Sequence, residues 1–339
     1  MPHAPYFIDT VFLGCLTKET IINRNQRVFV DHAGGNLLYS SFAAKLWGKN
    51  SGLLSKVSSD FPESWITQIG SQGFNTAGIK RVNQDSDLRE FFFITETGEL
   101  ITDNPQKYFL EFDHPFPKSL LGYAKNGNKL DSKHTCGGLS IKPEDIPSEY
   151  LDCHNLALCP LDFISHSLVP VEFRTRNNAR VFLHGANGYM HSSFFTEIPA
   201  LVCGAELFFT TEKYAKDLFL GKCEDIWEML EFMASFEIAT SIIHKPADGF
   251  YLYQKETRMR TFIPHYPVLM VDPVGVDDAF FGGYVASYLT HFDPVVAAAA
   301  GAVSSSIKLE GSTAFYLLDT LPALAASRLE KLLNEVQNH

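Results

Sequence analysis

Two adjacent aspartates, Asp277 and Asp278, follow a proline and a glycine in the stretch VDPVGVDDAFFGG, residues 271–283. An apolar strand is expected to end at Asp272, the chain then turns through Pro273 and Gly275, and Asp278 opens a helix carrying a glycine pair. A helix start has unpaired backbone N–H groups and a partial positive charge, and so attracts phosphate oxygens. A carboxylate at that rim is placed to take a proton from an attacking hydroxyl. The pattern describes phosphoryl transfer from a nucleotide to an alcohol. A second glycine pair, Gly34–Gly35, precedes another helical pattern, and glycine there lets backbone approach a polyhydroxylated ligand closely.

These residues need a scaffold. TVFLGCLTKETIIN reads as a buried strand broken at Gly14 with a more polar extension, and residues 27–30 as a further strand. DHAGG breaks the pattern, and residues 36–48 have helical apolar spacing. A strand over 51–57 and a helix over 63–72 follow. EFFFITETGELIT, residues 90–102, is a hairpin turning at Thr97–Gly98, with Phe91 and Phe93 on one face and Phe92 on the other. Residues 125–134 form a polar loop. Strands over 155–158, 179–183, 207–210, 238–244 and 250–253 interleave with a helix over 224–236, and helices over 278–289, 294–306 and 321–336 close the chain. Strand–helix alternation predicts a mostly parallel sheet with crossover helices, and ligands gather beyond the carboxyl ends of such strands. One α/β domain over 1–339 is expected.

Composition narrows the partners. The chain has 339 residues, 45% of them hydrophobic, and a formal charge of −11, which argues against nucleic acid as a partner. Arg174, Arg176 and Arg180 form the densest basic patch and read as a solvated helix face. No apolar run reaches membrane-spanning length, and MPHAPYFIDTVFLGC lacks the basic start and long apolar core of a signal peptide. A cytoplasmic location is expected. Six cysteines without a CxxC pair and twelve histidines without an HExxH arrangement point to no protein-held metal site.

The order and spacing of these motifs resemble the PfkB (ribokinase-like) family of carbohydrate and nucleoside kinases over nearly the whole chain. AGGNLLYSSFAAKLWG is similar to its N-terminal signature, and DPVGVDDAFFGG to its C-terminal D-T-x-G-A-G-D pattern. HFDPVVAAAAGAVSSSIKLEGSTAF resembles the two closing elements that flank the nucleotide base. The resemblance implies a three-layer α/β/α sandwich with a small β lid, made here by about 15–31 and 90–102. It implies Asp278 as catalytic base and Gly275, Val276 and Asp277 as anion hole. Glu19, Gly34, Gly35 and Asn36 would contact substrate, and His244, Gly249 and Ser305 would lie on the nucleotide side. A sugar or nucleoside, ATP with Mg2+ held through its phosphates, and a homodimer formed through the lid are the implied partners.

Four departures fall on the phosphate side. Asp277 replaces the anion-hole glycine, and His244 and Pro246 replace the threonine and first glycine of a T-x-G-x-x-G strand end. Thr211 and Tyr214 stand at the places of an N-x-x-E segment, with Glu212 beside them, and His184 stands near a position often held by aspartate. Two unit charges about 4 Å apart repel by roughly 4 kcal/mol at an effective dielectric near 20. The direction of the Asp277 side chain is therefore critical. The alternative reading is a PfkB-fold protein that has lost efficient transfer and acts by binding a small molecule or in regulation.

Overall fold

Phe12, Leu53, Ala157, Phe182, Phe209 and Ile242 point to one side of a sheet, and Val11, Leu13, Leu54, Leu156, Leu183 and Ile243 to the other. The alternation is the period of two of strands buried on both faces. The computed structural model describes residues 7–83, 86–125 and 130–338. Its strands in chain order are β1 (Thr10–Leu13), β2 (Thr17–Ile22), β3 (Val28–Gly34), β4 (Ser51–Ser58) and β5 (Asn75–Val82). Next come β6 (Arg89–Ile94), β7 (Leu100–Ile101), β8 (Asn155–Leu158), β9 (Arg180–His184) and β10 (Leu207–Thr211). Last are β11 (Thr240–Lys245), β12 (Gly249–Gln254), β13 (Met259–Pro264) and β14 (Gln337–Asn338).

The large sheet has the order β14-β13-β12-β11-β10-β9-β8-β1-β4-β5. It is parallel from β5 to β11 and antiparallel beyond. The helices are α1 (Asn36–Leu46), α2 (Glu63–Ser71), α3 (Pro105–Glu111), α4 (Phe163–Asn177) and α5 (Ile198–Val202), then α6 (Glu212–Leu218), α7 (Ile226–Ala234), α8 (Val276–His291), α9 (Pro294–Leu309) and α10 (Pro322–Leu333). One face of the sheet packs on α1, α8 and α9, the other on α4 and α7. This is the mostly parallel, helix-covered sheet expected of a ribokinase-like fold. None of the described helices is long and apolar enough to cross a membrane.

A second sheet, β3-β2-β6-β7, stands apart. Phe91 and Phe93 turn away from the large sheet and pack with Tyr108 and Phe109 of α3 and with Leu120. Phe92 is left on the opposite face, as period two requires. The β6–β7 turn closes at Gly98, φ 87°, whose N–H donates to the Thr95 carbonyl at 2.9 Å.

Several local expectations are corrected. DHAGG does not break a strand: β3 runs through Gly34, with Lys18 paired to Ala33 and Thr17 to Gly34. No strand leads into Asp272; residues 265–271 are irregular, and the Val271 and Asp272 N–H groups donate to the Leu309 carbonyl at the end of α9. Helix α4 was masked in the sequence by Pro170, which removes one N–H from its interior; the Asp162 carboxylate caps it by accepting from the Ser165 N–H at 3.1 Å. Arg174 and Arg176 lie in its last turn, but Arg180 is on β9, so the three share no helix face. Helices α8 and α9 meet closely: a Cβ on Gly301 would stand 2.8 Å from Phe280 of α8. Residues 126–129 of the polar loop lie outside the described residues, as do residues 1–6.

Candidate active site

The turn before α8 is built from below. Asp272 is fully buried, and its Oδ1 accepts from the Val274 N–H at 2.8 Å. Its Oδ2 lies 3.4 Å from Nζ of Lys308, also fully buried, which donates to the Gly311 carbonyl at 2.8 Å. Burial pulls the Lys308 ammonium below its ordinary range, and Asp272 opposes that. Gly275 caps α8 at φ 75°, a left-handed conformation that disfavours other residues. A Cβ there would also stand 2.3 Å from the Tyr39 ring of α1. The helix therefore starts at Val276, and Asp277 and Asp278 occupy its first turn rather than opening it.

Tyr39 ties this turn to the first glycine pair. Its hydroxyl donates to Oε2 of Glu19 at 2.7 Å, and Oε1 accepts from the Gly35 N–H at 2.8 Å and from the Thr17 hydroxyl at 3.0 Å. A Cβ on Gly34 would lie 2.0 Å from the Glu19 carboxyl carbon, and one on Gly35, φ 99°, 2.3 Å from the Cys15 carbonyl. The pair is thus required by Glu19 and by the segment that follows β1. Burial pushes the Glu19 carboxyl up to about 7, against the pull of its three donors. Asn36 is a brace as well, its Oδ1 accepting from Cys15 N–H at 2.9 Å and its Nδ2 donating to the Pro160 carbonyl at 2.7 Å.

These elements enclose a cavity of about 470 Å³ lined by Glu19, Gly35, Asn36, Gly275, Val276, Asp277 and Asp278. Gly34 sits behind Glu19 and does not line it. Of the three residues expected on the nucleotide side, none lines it. Ser305 donates to the Val276 carbonyl at 3.0 Å, supporting α8. Gly249 is pressed against β13, where a Cβ would meet the Ile263 carbonyl at 2.4 Å. Sequence reasoning gave no role to Tyr39, Asp272 or Lys308. A lone lysine inside the apolar run SSSIKLEG was the signal for Lys308; a tyrosine on an apolar helix face gives none. Phe92, Leu100, and the Lys125–Glu90 ion pair at 2.7 Å also line the cavity, on the side of the lid sheet.

Two histidines, at or near the carboxyl ends of β9 and β11 on either side of β10, face the two aspartates. His244 Nδ1 lies 2.5 Å from Oδ1 of Asp277. His184 Nδ1 lies 3.4 Å from Oδ1 of Asp278, and neither of these atoms has a hydrogen-bond partner among the described residues. Asp278 is thus a carboxylate at a helix start, in a cavity, with an uncommitted oxygen. Burial raises the Asp277 carboxyl, but the charge and hydrogen bond of His244, with His184 and His265 behind it, hold it below the usual range. No group of three or more His, Cys, Asp or Glu among the described residues is arranged to hold a metal.

A helix-covered, mostly parallel sheet, a separate small sheet beside the cavity, and a glycine-capped helix presenting an aspartate define a ribokinase-like fold. Residues 183–320 match the family model described as pfkB family carbohydrate kinase. A cytidine kinase from Thermococcus kodakarensis is 22% identical over 290 residues, covering 83% of this chain and 88% of that protein. Among solved structures, a putative Ribokinase II from E. coli in complex with ATP and Mg2+ superposes with a TM-score of 0.66 at 13% identity, covering 96% of this chain and all of that one. A Burkholderia thailandensis nucleoside kinase in complex with inosine gives 0.65 at 14% identity, covering 96% and 99%. Over residues 183–320 the chain is thus similar to the pfkB carbohydrate kinases, and its fold is that of the ribokinase-like structures.

Proposed function

We propose that this protein phosphorylates a hydroxyl of a nucleoside or sugar from Mg·ATP, with Asp278 as general base and the turn from Gly275 to Asp278 as anion site. The observation that carries the reading is the place of Asp278. It lies in the first turn of α8 and in the cavity lined by Glu19, Gly35 and Asn36, with Oδ1 free of hydrogen bonds from the described residues. Asp278 takes the proton of the substrate hydroxyl as its oxygen bonds to the transferred phosphorus and the bond to the leaving diphosphate breaks. The N–H groups at the start of α8 face the charge that develops on the transferred group. ATP supplies that group and Mg2+ would be carried on its phosphates, as no group of three or more His, Cys, Asp or Glu among the described residues could hold a metal. A nucleoside is favoured over a simple sugar by two facts: Phe92 and Leu100 give the cavity an apolar wall, and the cytidine kinase is a relative over most of both chains.

The second reading, a binding or regulatory protein of this fold, is favoured by Pro246, which removes an N–H from the loop after β11. Purified protein with Mg·ATP and a panel of nucleosides and sugars decides between them. Release of ADP that depends on one acceptor and falls at least about a thousandfold in Asp278→Asn supports transfer. Calorimetric binding of a nucleoside or sugar without turnover and without Mg·ATP binding supports the second reading.

A further inference from the structure

We propose that His244 is a positioning residue for phosphoryl transfer, its Nδ1 pinning the Asp277 carboxylate so that the start of α8 can receive phosphate. The inference rests on the function proposed above. Asp277 and His244 look in the sequence like two separate losses, a glycine and a threonine replaced 33 residues apart. In the fold they are one pair. Asp277 is the second residue of α8 and lines the cavity, where a free carboxylate would stand against incoming phosphate. His244 takes up one of its oxygens at 2.5 Å.

The partner is itself held rigidly. The His244 ring is buried, stacked on Phe250 at 4.4 Å and 16°, and meets His265 edge-on at 5.1 Å. Its place at the end of β11 is fixed by pairing to Phe250 on β12 and to Thr211 on β10. The charged and titratable groups around the pair are Asp278 on α8, His184 on β9 facing Asp278, Tyr214 on α6, and His265 after β13. Against its burial, His244 first and then His184 and His265 hold the Asp277 carboxyl below the usual carboxylate range.

The test separates a positioning role from packing. His244→Phe keeps the ring against Phe250 and deletes the bond, whereas His244→Asn places an amide nitrogen near the position of Nδ1. Both, and His244→Phe combined with Asp277→Asn, are compared with the parent by varying Mg·ATP at saturating acceptor, after circular dichroism confirms folding. A KM for ATP raised about tenfold or more in His244→Phe, with a smaller change in kcat, is expected. The double variant and His244→Asn should both recover most of it. An equal defect in His244→Phe and in the double variant overturns the proposal, and so does the absence of any KM change. Should the parent show no turnover on any acceptor, the proposed function fails, and the same comparison is read as calorimetric Kd for Mg·ATP. The pattern across the variants then upholds or overturns the pairing by itself.

Discussion

Replacing Glu19 by Gln should change how the stability of this protein depends on pH. Burial pushes the Glu19 carboxyl up to about 7 from 4.5, against its hydrogen bonds from Tyr39, Gly35 and Thr17. A carboxyl raised in the folded state contributes stability that is fully present below the unfolded value and is lost as pH rises through the folded one. Between about pH 4.5 and 7 the native chain holds one proton more than the unfolded chain, worth about 1.4 kcal/mol per unit and about 3 kcal/mol in all. Glutamine mimics the protonated acid and removes the dependence. Urea unfolding of both proteins at intervals from pH 5 to 8.5 measures it. The glutamine variant should gain on the parent by about 2 to 3 kcal/mol across that range. The comparison is needed because buried His166, pushed down to about 4, has the opposite slope at the acid end, losing stability as pH falls. A difference that stays within about 0.5 kcal/mol from pH 5 to 8.5 would refute the reasoning.

Two further substitutions test the frame beneath the site. Gly275→Ala forces a side chain into left-handed backbone and against Tyr39, and should cost about 2 to 4 kcal/mol in denaturant unfolding together with most of the turnover; a variant as stable as the parent would show that the turn is not held as described. Lys308→Met strands the buried Asp272 carboxylate and should cost about 3 to 5 kcal/mol, part of which returns when Asp272→Asn is added. Equal losses in the single and double variants would mean that the two do not act as a pair.

The parts of the site that were legible in the sequence are those whose cause is local. A glycine before a helix, an aspartate in its first turn, and the in–out alternation of Phe91, Phe92 and Phe93 each follow from neighbours a few residues away. The reason for Gly34 was hidden, because it is the Glu19 carboxylate fifteen positions earlier that fills the space a side chain would need. The pairing of His244 with Asp277 and of His184 with Asp278 was hidden for the same reason: strand order, not spacing, brings them together. Read singly, each histidine is an ordinary polar residue at a strand end. Helix α4 escaped because Pro170 outweighs the other local signals, whereas in the fold its apolar side packs on the sheet through Val169 and Phe173.

Strand β1 lies between β4 and β8, and its Leu13 pairs with Leu158. Parallel pairing over such separations forms slowly, and a chain is made from its N-terminus. A nascent chain therefore displays Glu19, Asn36 and the glycine pair long before it possesses anything to face them. Asp278 acquires its supported turn only when Lys308 has been synthesised and has met Asp272. The supported turn thus arrives last, and a chain cut short anywhere before α9 lacks Lys308 and the support it gives the start of α8.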